Sequence, residues 1–178
     1  VEMIDRFSTV DRPFLLYVAH TAPHWPLHAP EAEVAPYRGA YDEGWEALRH
    51  ARYQRQLAAG LFDRELTPLP PNSSGKVWQD CRRKDWEAAH MEVHAAMVTR
   101  MDRGIGRVLA KLKDAGRFEN TLILFLSDNG ACQEGGVLGA GDEEAIRDPG
   151  TTEGTTGPRC GRAWANASNT PFRLYKHF

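Results

Sequence analysis

The residues best suited to chemistry stand at the ends of two apolar runs. Thr121 to Leu126 ends in Ser127-Asp128-Asn129-Gly130, and Phe14 to Ala19 ends in His20-Thr21-Ala22-Pro23-His24-Trp25-Pro26. Asp128 and Asn129 each offer a hard oxygen, one carboxylate and one amide carbonyl. Ca²⁺ and Mg²⁺ take donors of that type. Gly130 lets the chain turn away without a side chain. An Asx turn closing the run is the simpler account of these residues taken alone. His24 lies between Pro23 and Pro26, whose rings restrict the backbone around it. A positioned imidazole binds an anion when protonated, or donates a proton to a leaving group. The plainer alternative is a loop histidine bonded to backbone. Trp25 reads first as packing and second as a pocket wall. His20 and His28 lack comparable restraint.

Elements must hold these loops in place. A continuous β-favouring run bounded by turn residues predicts a strand buried on both faces, as in a parallel sheet covered by helices. In open α/β sheets the ligand site lies beyond the carboxyl ends of the strands. Both runs are therefore expected to deliver their polar loops to one edge of one sheet. Val1 to Val10 has Val1, Ile4 and Phe7 at helical spacing, and Asp11-Arg12-Pro13 ends it. Trp45, Leu48, Tyr53, Leu57 and Leu61 predict an amphipathic helix within 42–61, with Asp42 as a candidate cap. The strongest helical signal runs from Trp86 to Gly116, with Lys111 and Lys113 in the last turn and Gly116 after it. It should cross over into the run at Thr121. Glu31 to Gly39 and the proline-rich 66–75 read as loops. Nine of the sixteen glycines fall between Gly130 and Gly161, with Asp142-Glu143-Glu144, which predicts a long loop. The stretch from Asn169 to Lys176 is expected to return to regular structure. Asn72 and Asn166 open glycosylation sequons, a match common by chance.

Composition narrows the class. With 178 residues, 42% hydrophobic and 26% charged, the chain can bury the core of one ordinary domain. A net charge of -2 gives no electrostatic case for nucleic acid or an anionic membrane. No apolar run approaches the roughly 20 residues of a membrane span. Three widely spaced cysteines, Cys81, Cys132 and Cys160, support neither a disulfide framework nor a zinc site.

Three separated pieces together resemble the sulfatase family of the alkaline-phosphatase-like superfamily: TAPHWPLHAP at 21–30, LILFLSDNGA at 122–131 and NTPFRLYKHF at 169–178. The segments between them are similar to those joining these motifs in bacterial arylsulfatases. The resemblance implies an α/β fold with a mostly parallel sheet, and a sulfuric ester hydrolase. It implies that Asp128 and Asn129 hold one divalent cation, usually Ca²⁺, with Mg²⁺ or Mn²⁺ as alternatives. His24 would contact the sulfate and assist the leaving group. Lys176, three residues after Arg173, would bind a sulfate oxygen.

Departures from the family pattern set further expectations. Sulfatases make a formylglycine nucleophile within C-x-[PAS]-x-R, and none of the three cysteines opens that motif. The paired aspartates that complete the family's metal site have no counterpart, nor does the Glu-Gly-Gly expected after Lys176. The expectation is an incomplete catalytic domain over 1–178, truncated at both ends and inactive alone, its formylglycine lying upstream. The substrate would be a small-molecule or carbohydrate sulfate ester; the residues leave the compartment open, and only the resemblance points to a periplasmic or extracellular one. A phosphatase or phosphonate monoester hydrolase of the same superfamily is the near alternative. A non-catalytic α/β module is the distant one.

Overall fold

The computed structural model describes residues 1–10, 12–141 and 157–178. Asp11 and the Asp142-Glu143-Glu144 cluster lie outside them. The described residues form helices α1 (Glu2–Ser8), α2 (Glu31–Val34), α3 (Gly44–Ala58), α4 (Lys84–Asp114) and α5 (Arg162–Ser168). Among them no helix is long and apolar enough to cross a membrane.

Helices α1, α3 and α4 form where the apolar spacing predicts them, and the ends of α3 and α4 have local causes. Gly116 takes φ +65° after α4. There Gly116 N–H bonds Lys113 O and Arg117 N–H bonds Leu112 O, closing the orphan carbonyls of the last turn. The same closure at Gly60 ends α3 at Ala58, three residues before the predicted span would have stopped. The other end of α3 corrects the capping expectation. The helix starts at Gly44 without a side-chain cap, and the Asp42 carbonyl instead accepts the Trp78 indole N–H at 2.9 Å.

Two further expectations are corrected. The segment at 31–39 is not all loop, since it forms α2 and a 3₁₀ turn at Ala35–Tyr37. Val34 buries completely against α4, and Arg38 pairs with Glu92 at 2.8 Å. At the C-terminal end, regular structure comes earlier than predicted, as α5, and 169–178 is a series of turns.

Three tryptophans centre the core. Trp45 of α3, Trp78 and Trp164 of α5 meet edge to face, with ring centroids 4.8, 5.5 and 5.7 Å apart. Such contacts add about 0.5–1.5 kcal/mol per pair beyond area burial. Ala88, Met91, Val93, Ala96 and Met97 supply the α4 wall. Arg52 and Gln56 of α3 donate to the carbonyls of Ser168 and Thr170, fixing the end of α5.

The predicted parallel sheet is not formed among the described residues. Their only β pairing is an isolated antiparallel bridge between Ala140 and Arg159. Residues 13–20 and 121–127 lack regular structure, and their side chains face solvent: Leu15 is 96% exposed and Leu122 85%. The reason is physical. A strand buries both faces only when ladders on its edges satisfy its backbone and bring covering elements. These runs pair neither with each other nor with another described segment.

Candidate functional site

The lysine segment is set by asparagines. Asn166, 1% exposed on α5, donates from Nδ2 to the Arg173 carbonyl, which also accepts from Ser73 Oγ at 2.6 Å. That burial gives the second sequon a structural use. Asn169 donates to Leu174 O at 3.0 Å and accepts from Ala131 N–H at 3.3 Å. Lys176 N–H then bonds Ala131 O at 3.0 Å. The residues following Asp128-Asn129 are thereby docked on the lysine segment. Gly130 is needed for this approach, because a Cβ there would lie 2.9 Å from Lys176 N.

The histidine loop reaches the same place. Leu27 and Ala29 are buried in the core, and Leu27 N–H bonds Pro158 O at 2.8 Å. The peptide bonds before Pro23 and Pro26 are cis. His24 is exposed, and its Nδ1 lies 2.8 Å from Trp25 O. A carbonyl only accepts, so in this contact Nδ1 carries the proton and Nε2 is the nitrogen left for a ligand. Nε2 donates to an anion only when the ring is protonated.

One carboxylate joins these pieces. Glu134 Oε2 accepts from the Trp25 indole N–H, and Oε1 lies 3.3 Å from Lys176 Nζ. The Trp25 bond, ahead of the charges of Lys176 and His24, holds the Glu134 carboxyl below its ordinary range. The Arg159 guanidinium lies over the Trp25 ring, 5.2 Å from its centroid. The Trp25 loop and the Lys176 segment thus meet at Glu134 through side chains, and no shared sheet edge joins them among the described residues.

Asp128 and Asn129, the pair expected to hold a cation, are differently placed. Asp128 and Asn129 are exposed, and Ser127 Oγ bonds Asn129 O at 2.7 Å in a local turn. Among the described residues no group of three His, Cys, Asp or Glu side chains is arranged to hold a metal ion. The two oxygens fit Ca²⁺ or Mg²⁺ in kind but fall short of the six to eight that Ca²⁺ takes. His20 and His28 are exposed and outside these contacts.

Sequence reading missed Glu134 and the bridging role of Asn169. Glu134 had one available signal, an acidic residue four positions after Gly130 in the loop leaving the site.

A second carboxylate, Glu87, lies in the core under the following loop. Its Oε1 accepts from Gly139 N–H at 2.9 Å, while Oε2 has no partner within bonding geometry, although the Trp164 indole is close enough to favour the charge slightly. Burial pushes this carboxyl up to about 7. Beside it His90 faces Trp86 O at 2.8 Å and Ala140 O at 3.3 Å, and burial pushes the ring down to about 4.

The comparisons with known proteins agree with the motifs. The chain is 37% identical to an uncharacterized sulfatase of Schizosaccharomyces pombe over 195 aligned residues, covering 99% of the chain and 34% of that protein. It is 33% identical to an arylsulfatase of Klebsiella aerogenes, covering 93% of the chain and 37% of the relative. To the human N-sulphoglucosamine sulphohydrolase it is 32% identical over 67% of the chain and 22% of the enzyme. The chain spans about a third of the length of the first two relatives. Residues 1–177 match the sulfatase family, and the chain belongs to it.

Proposed function

We propose that the whole protein hydrolyses sulfate esters, with His24 and Lys176 as the cationic, proton-donating side of its site. The observation that carries this reading is the convergence of the His24 loop and Lys176 on Glu134, beside the Asp128-Asn129 turn. Its support from relatives is the 33% identity to an arylsulfatase. The Lys176 ammonium offers its charge, and the two donors that its bond to Glu134 leaves, to sulfate oxygens. Protonated His24 donates from Nε2 to the ester oxygen as the S–O bond breaks, so the alcohol or phenol leaves neutral. Fixed cations aimed at developing negative charge stabilise it without reorganisation. Asp128 and Asn129 contribute two of the oxygens of a divalent cation, Ca²⁺ first, which when bound would polarise the sulfate. A formylglycine nucleophile would come from elsewhere in the whole protein, since none of the three cysteines here opens its motif. The two apolar runs would enter the parallel sheet of the whole α/β domain, which would cover the side chains exposed here.

The test is release of 4-nitrophenol by the whole protein from 4-nitrophenyl sulfate and from 4-nitrophenyl phosphate. Sulfate should be preferred, and His24→Ala should lower kcat about 10²–10³-fold. Preference for phosphate would move the protein to the phosphatase branch. Hydrolysis unaffected by His24→Ala and Lys176→Ala would remove both residues from the mechanism.

A further inference from the structure

We propose that Glu134 is a positioning residue: it clamps Lys176 to the Trp25 loop so that the ammonium and the His24 imidazole face one oxyanion. This inference rests on the reading of His24 and Lys176 given above. Three segments far apart in sequence meet at this carboxylate. Trp25 lies 109 positions from Glu134 and Lys176 lies 42 positions from it. A glutamate beside an anion site opposes anion binding by its charge, so a direct role toward sulfate is excluded. A supporting role fits, because both of its oxygens are taken, one by the indole and one by the ammonium. The ammonium has three donors, so one bond to Glu134 leaves two for a substrate.

The geometry also explains the loop's orientation. Trp25 is held at its edge by Glu134 and covered on its face by the Arg159 guanidinium. His24 is the preceding residue and its Nδ1–H is bonded to the Trp25 carbonyl. A displaced Trp25 would carry the imidazole with it. An exposed ion pair alone is often worth little. The claim here concerns placement, and two donors on one carboxylate fix placement better than one pair does.

The experiment is a double-mutant cycle in the whole protein with 4-nitrophenyl sulfate. Glu134→Ala should lower kcat/KM at least tenfold in the parent and by a clearly smaller factor when Lys176→Ala is already present, the remainder coming from the displaced Trp25 loop. Glu134→Gln, which keeps an acceptor for the indole but loses the charge, should fall between them. A second readout is the Trp25 indole N–H resonance, assigned through Trp25→Phe. It should shift in Glu134→Ala and stay in place in Lys176→Ala. Equal losses in both backgrounds, or an unmoved indole resonance, overturn the inference. A Lys176→Ala loss with no Glu134→Ala loss overturns it while leaving the sulfatase reading intact. Full activity in Lys176→Ala overturns both, and this result is distinct from the others.

Discussion

Lys176 and Asp128 are carried on touching segments, yet their surroundings differ. Lys176 sits on turns held by Asn166, Asn169 and Ser73, and its ammonium is engaged by Glu134. Asp128 and Asn129 project from an extended run whose side chains are in solvent. The proposed anion-facing half is therefore fixed by contacts inside the chain, through a core of three tryptophans. The proposed metal half has its two side-chain oxygens and belongs to no group of three His, Cys, Asp or Glu side chains arranged for a metal among the described residues. Oxygen chemistry is written in the residue type, whereas coordination number depends on what else the fold brings near.

The largest expected effect comes from breaking the base of the built half. Trp45→Ala removes a side chain 1% exposed at the centre of the aromatic cluster, and should cost about 3–5 kcal/mol. Urea unfolding followed by circular dichroism would measure it. A loss under about 1 kcal/mol would mean that the cluster does not carry α5 and the lysine turns. Next is the joint between the halves. Gly130→Ala puts a Cβ against Lys176 N, and overpacking of this kind costs about 1–3 kcal/mol. The same unfolding measurement should detect it. In the whole protein the variant should also lower hydrolysis, because Lys176 shifts.

The smallest effect is a pH dependence beneath the neighbouring loop. Glu87, raised from 4.5 to about 7, binds more protons folded than unfolded across that window, so stability falls as pH rises through it. His90, lowered from 6.5 to about 4, does the reverse, and stability rises with pH between those values. His94 is only partly covered, yet desolvation, with the charge of Arg52, also lowers it to about 4 and adds to the rise. Between pH 6.5 and 7.5 the last of the histidine gain offsets the Glu87 loss. Glu87→Gln should therefore make stability rise across that window, by removing an opposing decline on the order of 1 kcal/mol. Urea midpoints across that range would show it, and a profile unchanged from wild type would contradict it.

Sequence alone revealed α1, α3 and α4, but not α2, α5 or what completes the site. Apolar spacing, with Gly116 after the last turn of α4, defines α3 and α4 through local rules. His24, Asp128 and Asn129 stood out because polar residues abruptly end apolar runs. Four-residue α2 shows no period of its own. Glu134 is one acid in a glycine-rich loop, and its partners are distant in the chain. The apolar runs reveal affinity for a sheet, but a run of leucines carries no record of its ladder partner. The family match was legible from three short motifs because their order and spacing, not any single one, carry the signal.

The separation of the two halves is tested most directly by a calcium titration of aryl sulfate hydrolysis in the whole protein. Wild type, Lys176→Ala and Asn129→Ala would be compared. Asn129→Ala should need more Ca²⁺ for half-maximal activity and recover substantially in excess. Lys176→Ala should stay about 10²–10³-fold low at every Ca²⁺ concentration. An unchanged calcium response in Asn129→Ala, or a Lys176→Ala defect cured by calcium, would contradict the account.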